Sequence, residues 1–482
     1  MSKRCCGPNG PDTAPTSRRE FLSRSGFGFG TLALASLLAD QGLLAAEAPA
    51  ANPLAPKQPH FAAKAKRIIF LFMSGGPSHL ETFDPKPELQ RLHGQKLPES
   101  FGPVKTRRGV DKNVLLGTQR TFRKHGQSGT EVSDFLPHMA GIVDDLAVLR
   151  GCYGDSVTHP ESVYLMNCGS VRMGRPCLGS WVAYGLGSEN QNMPAYVVMP
   201  DPAGWVKGGA PSWGNGFLPA AYQGTIMRGG KSPILNLELP EGVTEAQQRK
   251  TLDLVRSLNQ EHLKQRREDS ALAARIAAYE LAYRMQSHAP QVTDLSKESE
   301  ATKKMYGLDR PECAEFGLRC LLARRMVEHG VRCVQLYCGD TNGWDAHSDI
   351  EENHRVHCAR TDQPAAALIK DLKQRGLLDS TLVVWAGEFG RTPMTEGKTG
   401  RDHNPYGFSI WMAGGGIKGG VTYGGTDPVG LRAVENRTHV HDIHATILHL
   451  LGLDHKQLTY LHNGRAERLT DVAGEVVRPI LA

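Results

Sequence analysis

The chain has 482 residues, of which 53 are Gly and 29 Pro, and a formal net charge of +6. That length exceeds the usual single core, so one large α/β domain with insertions or two domains both fit it, and the Gly and Pro content argues against an all-helical fold. The small positive charge admits an anionic substrate but leaves no nucleic-acid footprint, because no basic run with interleaved aromatics accompanies it.

Residues 1–48 read as an export segment. Ser17-Arg18-Arg19-Glu20-Phe21-Leu22 has the twin-arginine pattern, Gly26 to Ala39 is a modest apolar run of small residues, and Ala46-Glu47-Ala48 offers a small-x-small cleavage site. The expected location is periplasmic or extracellular, reached through the twin-arginine translocase. The apolar run is too short and Gly-rich for a membrane span, so a retained signal would be the chain's only membrane attachment. Residues 49–64 form a Pro/Ala linker. Of the ten cysteines, Cys5 and Cys6 fall in the leader, and the other eight form no C-x-x-C pair, which leaves a zinc ribbon or a thioredoxin-like site unsupported. An oxidising compartment allows disulfides among them, and the spacing selects no pairing.

From Arg67 the chain alternates strands and helices. Arg67 to Met73 is a continuous apolar run ending in Ser74-Gly75-Gly76, the pattern of a central parallel strand and its loop. The loop carries His79, Glu81 and Asp84. Residues 94–130 show little periodicity and read as irregular. Asp134 to Asp145 looks helical, Leu146 to Arg150 a short strand, and Asp155 to Glu161 a polar turn opening a helix. Ala195 to Met199 is another strand. Residues 241–289 are helix-forming and strongly charged, the mark of a helical insertion extending over about 241–305. Helix Phe316 to His329 and strand Val331 to Cys338 follow. A helix holding Leu368, Ile369 and Leu372, with Pro364 in its first turn, precedes the buried strand Thr381 to Ala386. Gly407 to Ala413 and the helix Asp442 to Leu451 complete the alternation. No repeat of 20–50 residues is visible. The expected fold is one α/β domain over 65–482, with a mostly parallel central sheet and helices on both faces.

Ligands in open α/β sheets bind beyond the carboxyl ends of the strands. Glu388, Gly390 and Arg391 directly follow one strand, and Asp402 and His403 lie on the loop after it. After Cys338 comes GDTNGWDAHSD, in which Asp345 and His347 are two apart and share one side of an extended segment. A carboxylate and an imidazole so placed suit a divalent cation such as Zn²⁺ or Mn²⁺. Asp345, His347, Glu388 and His403 are therefore the expected ligands of one metal site.

Several segments carry a resemblance. LIKDLKQRGLLDSTLVVWAGEFG (368–390) and HVHDIHATILHLLGLD (439–454) resemble segments shared by sulfatases, phosphomutases and alkaline phosphatases. More closely, SGGPSHLETFDPKP, GWDAH, AGEFGRTP and GRDHNP together resemble DUF1501 proteins, an exported group of unassigned activity placed within the alkaline phosphatase-like superfamily. The resemblance implies an alkaline phosphatase-like fold and a metal-dependent hydrolase of phosphate or sulfate esters, acting on an anionic small molecule or polysaccharide with Zn, Mn or Ca. The departures imply the alternative of a non-catalytic relative that binds metal, glycan or an anion. Glu388-Phe389 stands where the superfamily has an Asp-His pair. Ser74-Gly75-Gly76 stands where an Asp ligand follows the first strand. No C-x-P-S-R or C-x-A-S-R motif occurs, so the formylglycine route is absent. The nucleophile position falls at the helix start near 155–161, where Ser156 and Thr158 are the hydroxyls and His159 lies beside them. Arg391 would bind the anionic oxygens in a bidentate fork, or else pair with Glu388 or Glu396.

Overall fold

The structure is a computed structural model that describes residues 52–228, 239, 242–265, 270–339 and 342–482. The export segment lies outside the described residues. Pro53–Ala482 forms one compact unit. The stretch expected as a linker lies along this unit: Lys57 N donates to Leu186 O, His60 N to Gly452 O and Lys64 N to Leu450 O.

The strands that matter are β1 (Arg67–Met73), β2 (Leu146–Tyr153), β3 (Tyr196–Met199), β4 (Thr225–Ile226), β5 (Cys333–Cys338), β6 (Thr381–Ala386), β7 (Gly390–Glu396), β8 (Gly400–Asn404), β9 (Phe408–Ala413), β10 (Val421–Tyr423) and β11 (Thr438–His439). The helices are α1 (His159–Cys168), α2 (Leu178–Leu186), α3 (Glu245–Gln265), α4 (Ser270–Thr293), α5 (Ala314–Glu328), α6 (Ile350–Gln374) and α7 (Val440–Leu450). Among the described residues, a nine-stranded sheet runs in the order β10-β2-β9-β6-β1-β5-β3-β4, with β11 also paired to β2. Every pairing in it is parallel except those of β9 with β2 and β6.

The apolar run of β1 places it at the centre. Ile68, Phe70 and Phe72 enter one core with α1, α2 and α7, while Ile69, Leu71 and Met73 enter the opposite core with α5, α6 and the C-terminal half of α4. Alternate residues of a strand face opposite sides, so only a strand covered on both faces needs an unbroken apolar run. Each such side chain contributes about 1.5–3 kcal/mol of transfer free energy when fully buried. The fold is thus α/β, with a mainly parallel sheet between two helical layers.

Four local expectations change. The helix expected over Asp134 to Asp145 shrinks to one turn, Pro137–Ala140, followed by a 3-10 turn at Val143–Asp145. Residues 94–130, read as irregular, supply the strand Phe122–His125, which pairs antiparallel with Thr130–Ser133; cross-strand pairing there replaces the missing apolar pattern. Helix α6 starts at Ile350, capped by the Asp349 carboxylate on Glu352 N, so Pro364 lies in its interior. Burial of Ala365, Leu368, Ile369 and Leu372 outweighs the cost of the missing N–H. The loop expected to carry Asp402 and His403 is the antiparallel hairpin β7–β8, in which His403 stands opposite Arg391. All eight cysteines from Cys152 onward are buried free thiols.

Candidate metal centre

The site forms beyond the carboxyl ends of β1, β2, β5 and β6. The turn after β1 makes it compact. Gly75 (φ +105°) and Gly76 (φ +78°) adopt a backbone that side chains disfavour. A Cβ on Gly75 would lie 2.6 Å from Asn342 O, Trp344 N and Asp345 N, and one on Gly76 would meet the Phe389 ring. Glycine therefore lets the segment carrying Asp345 and the turn after β6 close on β1. Gly75 N donates to Glu388 Oε1 at 2.9 Å.

His159, Asp345, His347 and His403 converge, with one donor atom from each within 4.8 Å of the others. His347 Nε2 is 2.9 Å and His403 Nε2 3.1 Å from Asp345 Oδ1, His159 Nε2 is 2.9 Å from Asp345 Oδ2, and the Nε2 atoms of His347 and His403 are 3.1 Å apart. Four ligands around Zn²⁺ at bonds of about 2.0–2.1 Å lie roughly 3.3 Å from one another; the separations of 2.9 to 3.1 Å about Asp345 Oδ1 come near that, in a set whose atoms all lie within 4.8 Å. Each imidazole has an acceptor at its other nitrogen. His159 Nδ1 faces Glu388 Oε1 at 2.8 Å, His403 Nδ1 faces Val157 O at 2.6 Å, and His347 Nδ1 faces the Glu396 carboxylate. These partners hold the proton on Nδ1 and turn Nε2 inward, the orientation of a metal-ligating histidine.

The electrostatics agree. Burial opposes ionisation of Asp345, but His159, His347, His403 and the Arg391 guanidinium overcome it and hold the carboxyl well below its usual range. Burial depresses the His403 imidazole to about 3, keeping it neutral. Arg391 Nη2 lies 2.7 Å from Asp345 Oδ1 and Lys207 Nζ 2.6 Å from Oδ2. An anionic carboxylate encircled by Nε2 atoms is satisfied by protons on those nitrogens or by one divalent cation shared among them. His159 Nε2 is buried without a well-directed hydrogen bond, and the set accommodates a cation.

The arrangement differs from the one expected. Glu388 stands behind the cluster, holding His159 and Gly75, and His159 takes the inward place assigned to it. Arg391 is fully buried, and its guanidinium is spent on Gly75 O, Gly76 O, Arg401 O and Asp345. It braces the β1 turn and does not reach the cavity. That cavity, about 220 Å³, is lined by Arg107, Arg108, Thr158, His159, Pro160, Lys207, Asp345, His347 and His403. Thr158 stands at the first position before α1, makes no side-chain capping bond, and faces the cavity. Ser156 is outside the lining; its hydroxyl bonds Thr158 Oγ1 at 3.2 Å and the Glu161 carboxylate. Glu81 is buried in an ion pair with Arg401, and Asp84 pairs with Lys86. None of the lining residues belongs to α3 or α4. Lys207, Arg107 and Arg108 escape sequence reading because each sits in a segment without a local motif, and Glu161 and Glu396 lie in segments the sequence singles out without revealing their partners.

A family described as "Protein of unknown function (DUF1501)" matches residues 65–481. The chain belongs to the DUF1501 family. No curated protein matches it. Similar solved structures include the lipoteichoic acid synthase LtaP from Listeria monocytogenes (10% identity, 86% of this chain and 78% of that one, TM-score 0.35). The PsFucS1 sulfatase from Pseudoalteromonas sp. is similar at 12% identity, over 88% of this chain and 70% of that one, with a TM-score of 0.33. A protein in the alkaline phosphatase superfamily from Vibrio parahaemolyticus matches at 10% identity, over 89% of this chain and 77% of that one, with a TM-score of 0.33.

Proposed function

We propose that this DUF1501 protein is an exported metal-dependent hydrolase of phosphate or sulfate esters, acting on an anionic small molecule or polysaccharide outside the cytoplasm. One observation carries the reading: three imidazoles, each held through Nδ1, turn Nε2 onto a single buried carboxylate. His159, Asp345, His347 and His403 would hold the cation, and three nitrogen donors favour Zn²⁺ over the more oxygen-seeking Mn²⁺ and Ca²⁺. When bound, the cation supplies a Lewis acid for the ester oxygens.

The chain's own residues supply the rest. The Lys207 ammonium, paired with Asp345 Oδ2 at the cavity wall, faces the anionic group, with Arg107 beside it. Thr158 is the nucleophile of this scheme. Its hydroxyl proton has a path through Ser156 Oγ to Glu161, whose carboxyl is held down first by the Ser156 hydrogen bond and then by that of Thr158. Attack forms a bond from Thr158 Oγ1 to phosphorus or sulfur and breaks the bond to the leaving oxygen. Water then cleaves the Thr158 ester.

A second reading, an anion-binding protein without turnover, has its own support. Arg391 and Lys207 already satisfy both oxygens of Asp345, as in a stable ion-pair cluster. Chromogenic phosphate, phosphodiester and sulfate esters tested with Zn²⁺, Mn²⁺ and Ca²⁺ separate the two, beside elemental analysis of the wild type, His347→Ala and His403→Ala. The hydrolase reading expects turnover that His347→Ala abolishes and metal that both variants lose. Equal metal content in all three proteins ends the metal centre. Anion binding without turnover under any pairing selects the second reading.

A further inference from the structure

We propose that residues 102–109 form a strap that recognises a polysaccharide bearing pendant sulfate or phosphate groups, with Lys105 and Arg107 gripping charges next to the group in the cavity. The proposal deepens the ester-hydrolase reading and takes its cavity from it.

Size comes first. A cavity of about 220 Å³ is smaller than the roughly 300 Å³ at which pockets begin to enclose a drug-sized molecule. An ester head group enters it, and the body of the substrate lies across the rim.

The strap forms part of that rim. Its end glycines, Gly102 (φ +67°) and Gly109 (φ +70°), turn the chain at either end, and Arg107 and Arg108 between them line the cavity. Its backbone is fastened: Arg432 Nη2 donates to Pro103 O at 2.7 Å, Tyr406 Oη to Lys105 O at 2.9 Å, and Arg108 N to Asp402 Oδ2 at 2.7 Å. The fastened backbone presents Lys105, Arg107 and Arg108 as exposed side chains. Arg108 is committed, because its guanidinium lies 3.0 Å from Glu396 Oε1 and Glu396 in turn holds His347. Among the described residues, no ion pair or side-chain hydrogen bond involves Lys105 or Arg107; both act on the Glu161 carboxylate only through space, and Arg107 lines the cavity. Lys207 meets the charge of the group inside. Arg107 in the lining, with Lys105 two residues before it on the strap, therefore suits additional anions on the same molecule, held by charge-assisted hydrogen bonds.

Shape chooses the polymer. A pendant sulfate or phosphate ester projects from a sugar and can enter a narrow cavity end-on. The phosphate of a nucleic acid is flanked by two sugars and cannot enter without them.

The test is fluorescence-monitored binding of labelled dextran sulfate, neutral dextran and a single-stranded oligonucleotide to the whole metal-loaded protein. Lys105→Ala/Arg107→Ala is compared with Lys105→Arg/Arg107→Lys, and thermal midpoint and metal content verify that each variant is folded. The expected result is binding of dextran sulfate but not neutral dextran, weakened about tenfold in the alanine variant and retained in the charge-preserving one. Equal affinity of the wild type and the alanine variant for dextran sulfate overturns the proposal. So does an oligonucleotide that binds as tightly with the same strap dependence. If dextran sulfate binding depends on the strap and no ester is hydrolysed, the strap stands and the hydrolase reading falls. If esters are hydrolysed and polymer affinity ignores the strap, the reverse holds.

Discussion

Removing the charge of Glu388 tests whether it works behind the metal cluster. Its Oε1 accepts from His159 Nδ1 at 2.8 Å and from Gly75 N at 2.9 Å, in a site where the residue is 2% exposed. Glu388→Gln keeps the shape but loses the charge that makes His159 a stronger donor, and it sets an amide NH₂ near the Gly75 N–H. Losing such a partner weakens metal binding about 10- to 100-fold, equivalent to roughly 1.4–2.7 kcal/mol. Glutamine should lie near the low end. Glu388→Ala, which leaves both donors buried and unpaired, should lie near the high end, with a further 1–3 kcal/mol or so lost from folding stability. The assay is Zn²⁺ titration of apo-protein against a competing chromophoric chelator, beside thermal unfolding without metal. His159→Ala, which deletes an inward nitrogen, should be worse than either. Unchanged Zn²⁺ affinity in both Glu388 variants would refute the argument.

Three further outcomes follow from other features. Gly75→Ala places a Cβ 2.6 Å from three backbone atoms at φ +105°, so it should cost about 3 kcal/mol or more in denaturant unfolding and release bound metal; wild-type stability would contradict the close approach. Burial pushes His444 down to about 3, with a lesser opposing contribution from its hydrogen bond to Met166 O. The folded group thus stays neutral where the unfolded one, near pH 6.5, takes up a proton. Its contribution is whole above about pH 6.5 and falls by roughly 1.4 kcal/mol per unit as pH drops toward 3. His444→Gln should flatten the acid limb of the stability curve by that slope, and parallel limbs would exclude it. For export, Arg18→Lys with Arg19→Lys should leave the precursor in the cytoplasm, and unchanged fractionation would count against the twin-arginine route.

The layered α/β fold was legible because burial on both faces leaves a linear trace: β1, β5 and β6 are each a largely apolar run with glycine within two residues of its end. Asp345 and His347 were legible for a local reason, since two residues apart in an extended segment means one side. The candidate site's location followed from strand ends alone. Which side chains meet inside it did not. His159 and Glu388 are 229 positions apart, and only the parallel pairing of β6 with β1 puts Glu388 beside Gly75 and behind His159. The hairpin β7–β8 was equally hidden, because its strands are buried on both sides and lack the alternation that betrays a half-exposed strand. Its register puts His403 opposite Arg391 and turns Arg391 away from the cavity toward the β1 turn. By itself, then, the sequence determined the layers of the sheet, the edge that bears the chemistry and the residue types gathered there. Tertiary structure alone decided which imidazoles face inward, because that depends on acceptors supplied by segments remote in the chain.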